Sequence, residues 1–102
     1  MMYGEKILYS VLMSVYSKES PKFLYEALNS MVAQTAPPEQ IVLVEDGQLT
    51  DDLIQAINEF DTRHPDLLTI VSYPENRGLG YALAQGLPAC HNEIVARMDS
   101  DD

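Results

Sequence analysis

Four short apolar runs, each ending among polar residues, alternate with three segments whose apolar residues recur at helical spacing. The first run, Ile7 to Val15, holds SVLMSV and lacks polar alternation, as expected of a strand covered on both faces. Ser20 followed by Pro21 is an N-cap with proline at the first helical position, and Phe23, Leu24, Ala27, Leu28, Met31 and Val32 continue the helix. Pro37 and Pro38 stop it. Ile41 to Glu45 reads as the second strand. Thr50 caps a second helix with Asp51 and Asp52 in its first turn and Leu53, Ile54, Ile57 and Phe60 as its stripe, and His64-Pro65 closes it. Leu67 to Ser72 is the third strand, Leu79, Ala82, Leu83 and Leu87 mark a third helix, and Glu93 to Met98 is the fourth strand. This βαβαβαβ order predicts an α/β fold with a Rossmann-like, mostly parallel sheet, right-handed crossovers and helices on both faces. Functional residues then belong at the carboxyl ends of the strands: Ser14 to Ser17, Glu45 to Gly47, and Asp99 to Asp102.

At 102 residues the chain fits one small domain. Its 46% hydrophobic content predicts a packed core despite a net charge of -10. Sixteen acids against six bases disfavour nucleic acid as a partner, because that affinity comes largely from Lys and Arg on phosphates. The same acidity repels any anionic ligand unless a cation or a local arginine intervenes. Cys90 stands alone and reads as a buried inert thiol. No segment reaches the roughly 18 apolar residues of a membrane span, so the expectation is a soluble, cytoplasmic chain.

Asp99 and Asp101, two apart at a strand end, project to one side, and Asp102 adds a carboxylate as the chain turns. Such acids repel one another unless a cation offsets them, and oxygen-only ligands suit Mg2+ or Mn2+. Taken alone, the cluster is equally compatible with a solvated acidic turn. Glu45-Asp46 before Gly47 forms a corner where Asp46 offers an acceptor to a base or ribose; an ordinary turn has the same composition. Gly78-Leu79-Gly80 resembles a phosphate loop, yet Leu83 stands where the dinucleotide fingerprint needs a small residue. Those glycines are expected to admit close helix packing or a ligand. Arg77 beside them is a candidate for a phosphate, or simply a surface arginine.

In order, these segments resemble family 2 glycosyltransferases of the GT-A fold. The likeness runs from Ser10 to Asp102: Ser10 to Tyr16 as the first strand and loop, Leu24 to Thr35 as the first helix, Ile41 to Gly47 as the strand ending in acids and glycine, Asn76-Arg77-Gly78 as the Asn-x-Gly segment, and Arg97 to Asp102 carrying the DxD signature. The resemblance implies that residues 1–102 are one nucleotide-sugar-binding half-domain ending at that motif. It implies that Ser14 and Tyr16 lie along the nucleotide, that Asp46 meets the base and Asp99 the ribose, and that Asp101, with Asp102 and Asp99, holds Mn2+ or Mg2+. Glu45, Arg77 and Gly78 complete the expected donor site. The family often has Pro at Ser14, Asn at Ser17, Asp at Glu45 and Ser-Thr at Gln48-Leu49, which bears on donor preference.

By resemblance, the intact enzyme moves a sugar with inversion from a nucleoside diphosphate donor, UDP-sugar favoured, to an acceptor hydroxyl in cell-surface polysaccharide or glycan synthesis. The acceptor, glycan or lipid-linked, and the catalytic carboxylate belong downstream of the DxD, so no catalytic residue is assigned and the fragment alone is expected to be inactive. An open sheet edge invites self-association, and the full-length protein is placed peripherally at the inner face of the membrane. Two rivals stand beside this reading. One is a receiver-like phosphoacceptor module, disfavoured because the only lysines are Lys6, Lys18 and Lys22; the other is a nucleotide-binding domain without turnover.

Overall fold

In the computed structural model of the chain, which describes residues 7–98, the alternation becomes four strands and three α-helices. They are β1 (Tyr9–Val15), α1 (Pro21–Val32), β2 (Gln40–Asp46), α2 (Asp51–Arg63), β3 (Leu68–Tyr73), α3 (Leu79–Gly86) and β4 (Ile94–Arg97), with a 3-10 turn at Leu87–Ala89. Both expected caps form: the Ser20 hydroxyl accepts from the Phe23 amide at 3.3 Å, and Thr50 accepts from the Leu53 amide at 3.2 Å. The first strand starts at Tyr9 rather than Ile7. The third helix stops at Gly86 because Pro88 withholds the donor that would continue it, so Leu87 falls in the 3-10 turn instead.

The sheet is wholly parallel, in the order β3-β2-β1-β4. Alternation along β1 and β2 divides their side chains between two layers. Val11, Met13, Val15, Ile41 and Leu43 pack under α1 and α2 with Leu24, Leu28, Met31, Leu53, Ile57 and Phe60. Leu12, Val42 and Val44 face α3 and meet Ala82. The central strands are buried on both sides, which is why their sequences show no polar alternation.

Of the two roles expected for Gly78 and Gly80, close helix packing or approach of a ligand, the close packing lies elsewhere. A Cβ on Gly86 would sit 2.5 Å from both Leu12 Cδ1 and Val44 Cγ2, whereas Cβ atoms on Gly78 and Gly80 would meet nothing within 4 Å. Gly86 therefore sets the distance between α3 and the sheet. Among the described residues β3 and β4 each have one strand partner, and Ile70 and Ile94 are 42% and 54% exposed on these outer strands.

At the amino edge of the sheet, buried Gln40 joins three strands and the connector to β4. Its Oε1 accepts from the Ser10 hydroxyl at 2.6 Å and the His91 amide at 3.0 Å, and its Nε2 donates to Thr69 Oγ1 and the Ala89 carbonyl, both at 2.9 Å. Asn92 donates to Ser10 Oγ and Glu39 Oε1. Every polar atom of the Gln40 amide is satisfied, so its burial is stabilising rather than costly. The carboxyl edge opposite is left to the loops that carry the candidate site.

Candidate functional site

The site is organised around one buried carboxylate at the end of β2. Asp46 is 5% exposed, and its side chain accepts four hydrogen bonds. Oδ1 takes the Tyr73 hydroxyl at 2.7 Å and the Arg77 amide at 2.8 Å. Oδ2 takes Asn76 Nδ2 at 3.0 Å and the Gly78 amide at 2.9 Å. A carboxylate offers about four lone-pair positions, so the β3–α3 loop and Tyr73 use all of them. Asn76 Nδ2 also reaches the Asp46 carbonyl at 3.2 Å.

Local backbone geometry makes this convergence possible. Gly47 turns the chain out of β2 at φ +88, and Gly78 enters α3 at φ +94; both values favour glycine. Gly78 occupies the N-cap of α3, where no side chain caps the helix. Arg77, between Asn76 and Gly78, is largely exposed; its guanidinium lies 5.5 Å from the Tyr81 ring centroid and 3.8 Å from Glu75. Tyr81 in turn meets Tyr73 edge-on, with centroids 5.1 Å apart. Burial, then the bond to Asp46 and that group's negative charge, raise the Tyr73 phenol above its ordinary pKa, so it remains a donor.

Adjacent acids at the end of β2 part company. Asp46 follows Val42 and Val44 toward α3, while Glu45 follows Leu43 to the α2 side. There Glu45 lines an open cavity of about 410 Å3 with Gly47, Gln48, Leu49, Ile54, Ser72, Tyr73 and Pro74, so that Tyr73 borders both this cavity and Asp46. Burial raises its pKa, and among the described residues its carboxylate has no hydrogen-bond partner. Ser14 pairs with Val44 in register and so shares the α3 face with Asp46. Tyr16, just beyond β1, is 42% exposed.

Of the residues expected at the site, Asp46, Arg77 and Gly78 are thus joined directly, Ser14 shares their face, and Glu45 points away from them. Asp99, Asp101 and Asp102 lie outside the described residues. Among the described residues no group of three His, Cys, Asp or Glu side chains could hold a metal ion. Tyr73 and Tyr81 carried no signal in sequence, because a tyrosine ending a strand and another in a helix look like core or surface until the fold joins them.

Comparison with known proteins bears on what this edge does. The model of glycosyl transferase family 2 matches residues 10–102. An uncharacterized glycosyltransferase of Haemophilus influenzae is 52% identical over 94 residues, covering 92% of this chain and 34% of the relative. A UDP-Gal:alpha-D-GlcNAc-diphosphoundecaprenol beta-1,3-galactosyltransferase of Escherichia coli is 39% identical, with 92% of this chain and 34% of the relative covered. The chain spans about a third of the length of these relatives. The mannosyltransferase PcManGT of Pyrobaculum calidifontis, solved in complex with GDP-Man and Mn2+, superposes with a TM-score of 0.76 at 30% identity, covering 96% of this chain and 28% of the other.

Proposed function

The chain belongs to glycosyl transferase family 2, and on that premise we propose that it is the donor-binding part of an enzyme that transfers a sugar from a nucleoside diphosphate to an acceptor hydroxyl. The observation that carries the reading is the likeness, over 96% of this chain, to a mannosyltransferase bound to GDP-Man and Mn2+. Ser14, Tyr16, Asp46, Arg77 and Gly78 then form the nucleotide side of the cleft, with Glu45 on its outer flank and Asp99 at the ribose. The intact enzyme acts with inversion in the synthesis of a surface polysaccharide or glycan, on a glycan or lipid-linked acceptor. It works in the cytoplasm at the inner face of the membrane.

The terminal acids fit a hard divalent cation by their chemistry: Asp99, Asp101 and Asp102 supply only oxygen ligands. Asp101 and Asp102, with Asp99, would hold Mn2+ or Mg2+. When bound, that ion offsets the charge of the donor's diphosphate. The chain's own residues orient the nucleotide: the clamp on Asp46 fixes the Asn76–Gly78 backbone, and Arg77 supplies a positive charge in a chain whose net charge is -10. No residue here is assigned the acceptor's proton, so this portion alone binds donor without turnover.

Calorimetric titration of the chain with UDP and with GDP tests this, in Mn2+ and in excess EDTA. Uptake of one of them with Mn2+, lost on chelation and weakened at least tenfold in Asp101→Ala, is expected. Binding indifferent to EDTA removes the metal from the reading; no binding of either nucleotide removes the donor site. UDP is the favoured partner, and a preference for GDP would move the donor class toward that of the mannosyltransferase.

A further inference from the structure

Tyr73 is linked to Arg77 twice, through Asp46 at its hydroxyl and through Tyr81 at its ring. Its hydroxyl and the Arg77 amide share Asp46 Oδ1, at 2.7 and 2.8 Å. Its ring packs edge-on against Tyr81, at 5.1 Å and 88°, and the Arg77 guanidinium lies 5.5 Å from the centroid of that same Tyr81 ring. One side chain thus fixes the backbone that carries Arg77 and the surface that supports its charge. We propose that Tyr73 is a positioning residue for an anion-binding Arg77, holding the guanidinium ready for the diphosphate of a nucleotide. This inference rests on the donor-site reading above.

Three observations carry it. First, Asp46 is already saturated: four donors occupy its two oxygens and it is 5% exposed, so it acts through the loop it holds. Second, Arg77 is held loosely by other charges. Its pairing with Glu75 is 3.8 Å long between side chains 54% and 75% exposed, a contact of small net value that a polyanion readily replaces. Third, ordering a long cationic side chain before a ligand arrives lowers the entropy lost on binding, and a tyrosine ring under the guanidinium does this while leaving its N–H donors free. The charge balance of the chain gives the arrangement its importance, because six basic residues face sixteen acids.

The test is a double-mutant cycle on the 102-residue chain, titrated by calorimetry with UDP and GDP in Mn2+. Tyr73→Phe keeps the ring and removes the bond to Asp46; Arg77→Ala removes the charge. Tyr73→Phe is expected to weaken binding roughly two- to tenfold in the native background, the range of one net hydrogen bond, and less than twofold in Arg77→Ala. Tyr81→Leu, which spares the Asp46 bond, is expected to show the same dependence on Arg77 and serves if Tyr73→Phe unfolds. Equal losses with and without Arg77 would make Tyr73 a purely structural residue and overturn the proposal while leaving the donor site intact. A native chain that binds neither nucleotide overturns both.

Discussion

Gly47 and Asn76 approach so closely that a Cβ on Gly47 would lie 2.6 Å from the Asn76 backbone nitrogen. The two loops at the carboxyl edge, 29 residues apart in sequence, are therefore in backbone contact, and Asp46 bonds to Asn76, Arg77 and Gly78 just beside that contact. Gly47 also holds φ +88. Gly47→Ala combines left-handed strain of about 1–2 kcal/mol with a clash against backbone that cannot rotate away. It is expected to destabilise the fold by at least about 2 kcal/mol in urea denaturation. Unchanged stability would mean that the loops separate readily.

A second prediction contrasts two glycines of α3. Alanine is a better helix former than glycine by up to about 1 kcal/mol, so Gly→Ala stabilises a helix where space permits. Space permits at Gly80, where an added Cβ meets nothing within 4 Å. It does not at Gly86, where Leu12 and Val44 would stand 2.5 Å away and overpacking costs about 1–3 kcal/mol. Thermal melts should therefore show Gly80→Ala neutral or stabilising and Gly86→Ala destabilising. Equal signs would refute the assignment of Gly86 as the contact that seats α3 on the sheet.

These glycines show what the sequence reveals and what it hides. The strands and caps were legible because their causes are local: buried apolar runs for β1 and β2, and a hydroxyl three residues before the amide it accepts from at Ser20 and Thr50. The carboxyl edge was legible as the place for function, since topology dictates it. The partners were not. Asp46 meets Tyr73 and Asn76 across 27 and 30 residues, and Gly86 meets β1 and β2 side chains that no spacing rule connects. Gln40, a polar residue before an apolar run, looks like the last residue of a loop until the sheet buries it. The roles of Glu45 and Asp46 diverged for an equally physical reason: neighbours in a strand face opposite layers.

The third prediction concerns pH. Burial raises the Glu45 carboxyl above its ordinary value of 4.5, with no partner among the described residues to favour its charged form. In the window above 4.5 the folded state holds a proton more firmly than the unfolded state. Stability from this group is thus fully present below the unfolded pKa and declines as pH rises through the folded one. Glu45→Gln, neutral at every pH, should flatten the decline in melting temperature as pH rises above 4.5 and gain most where the native carboxyl is fully ionised. A variant with the native pH slope would show that Glu45 is adequately solvated in its cavity.

The fourth prediction tests the amino edge. Four partners of Gln40, the Ser10 hydroxyl, Thr69 Oγ1, the Ala89 carbonyl and the His91 amide, tie β1, β3 and the connector into β4. Gln40→Leu fills similar space but strands these groups, at about 1–3 kcal/mol for each one left buried and unsatisfied. Water can reach the connector more easily than the sheet interior, so the net loss is expected at about 2–4 kcal/mol. Beyond the connector, β4 is held to the sheet through β1, including the Met98 amide on the Leu12 carbonyl at 3.0 Å. Hydrogen exchange in Gln40→Leu should therefore quicken most at His91 and along Ile94–Met98, and less in β2 and α2. Uniform acceleration across the chain would instead mark Gln40 as a global stabiliser with no special hold on the strand that leads to Asp99.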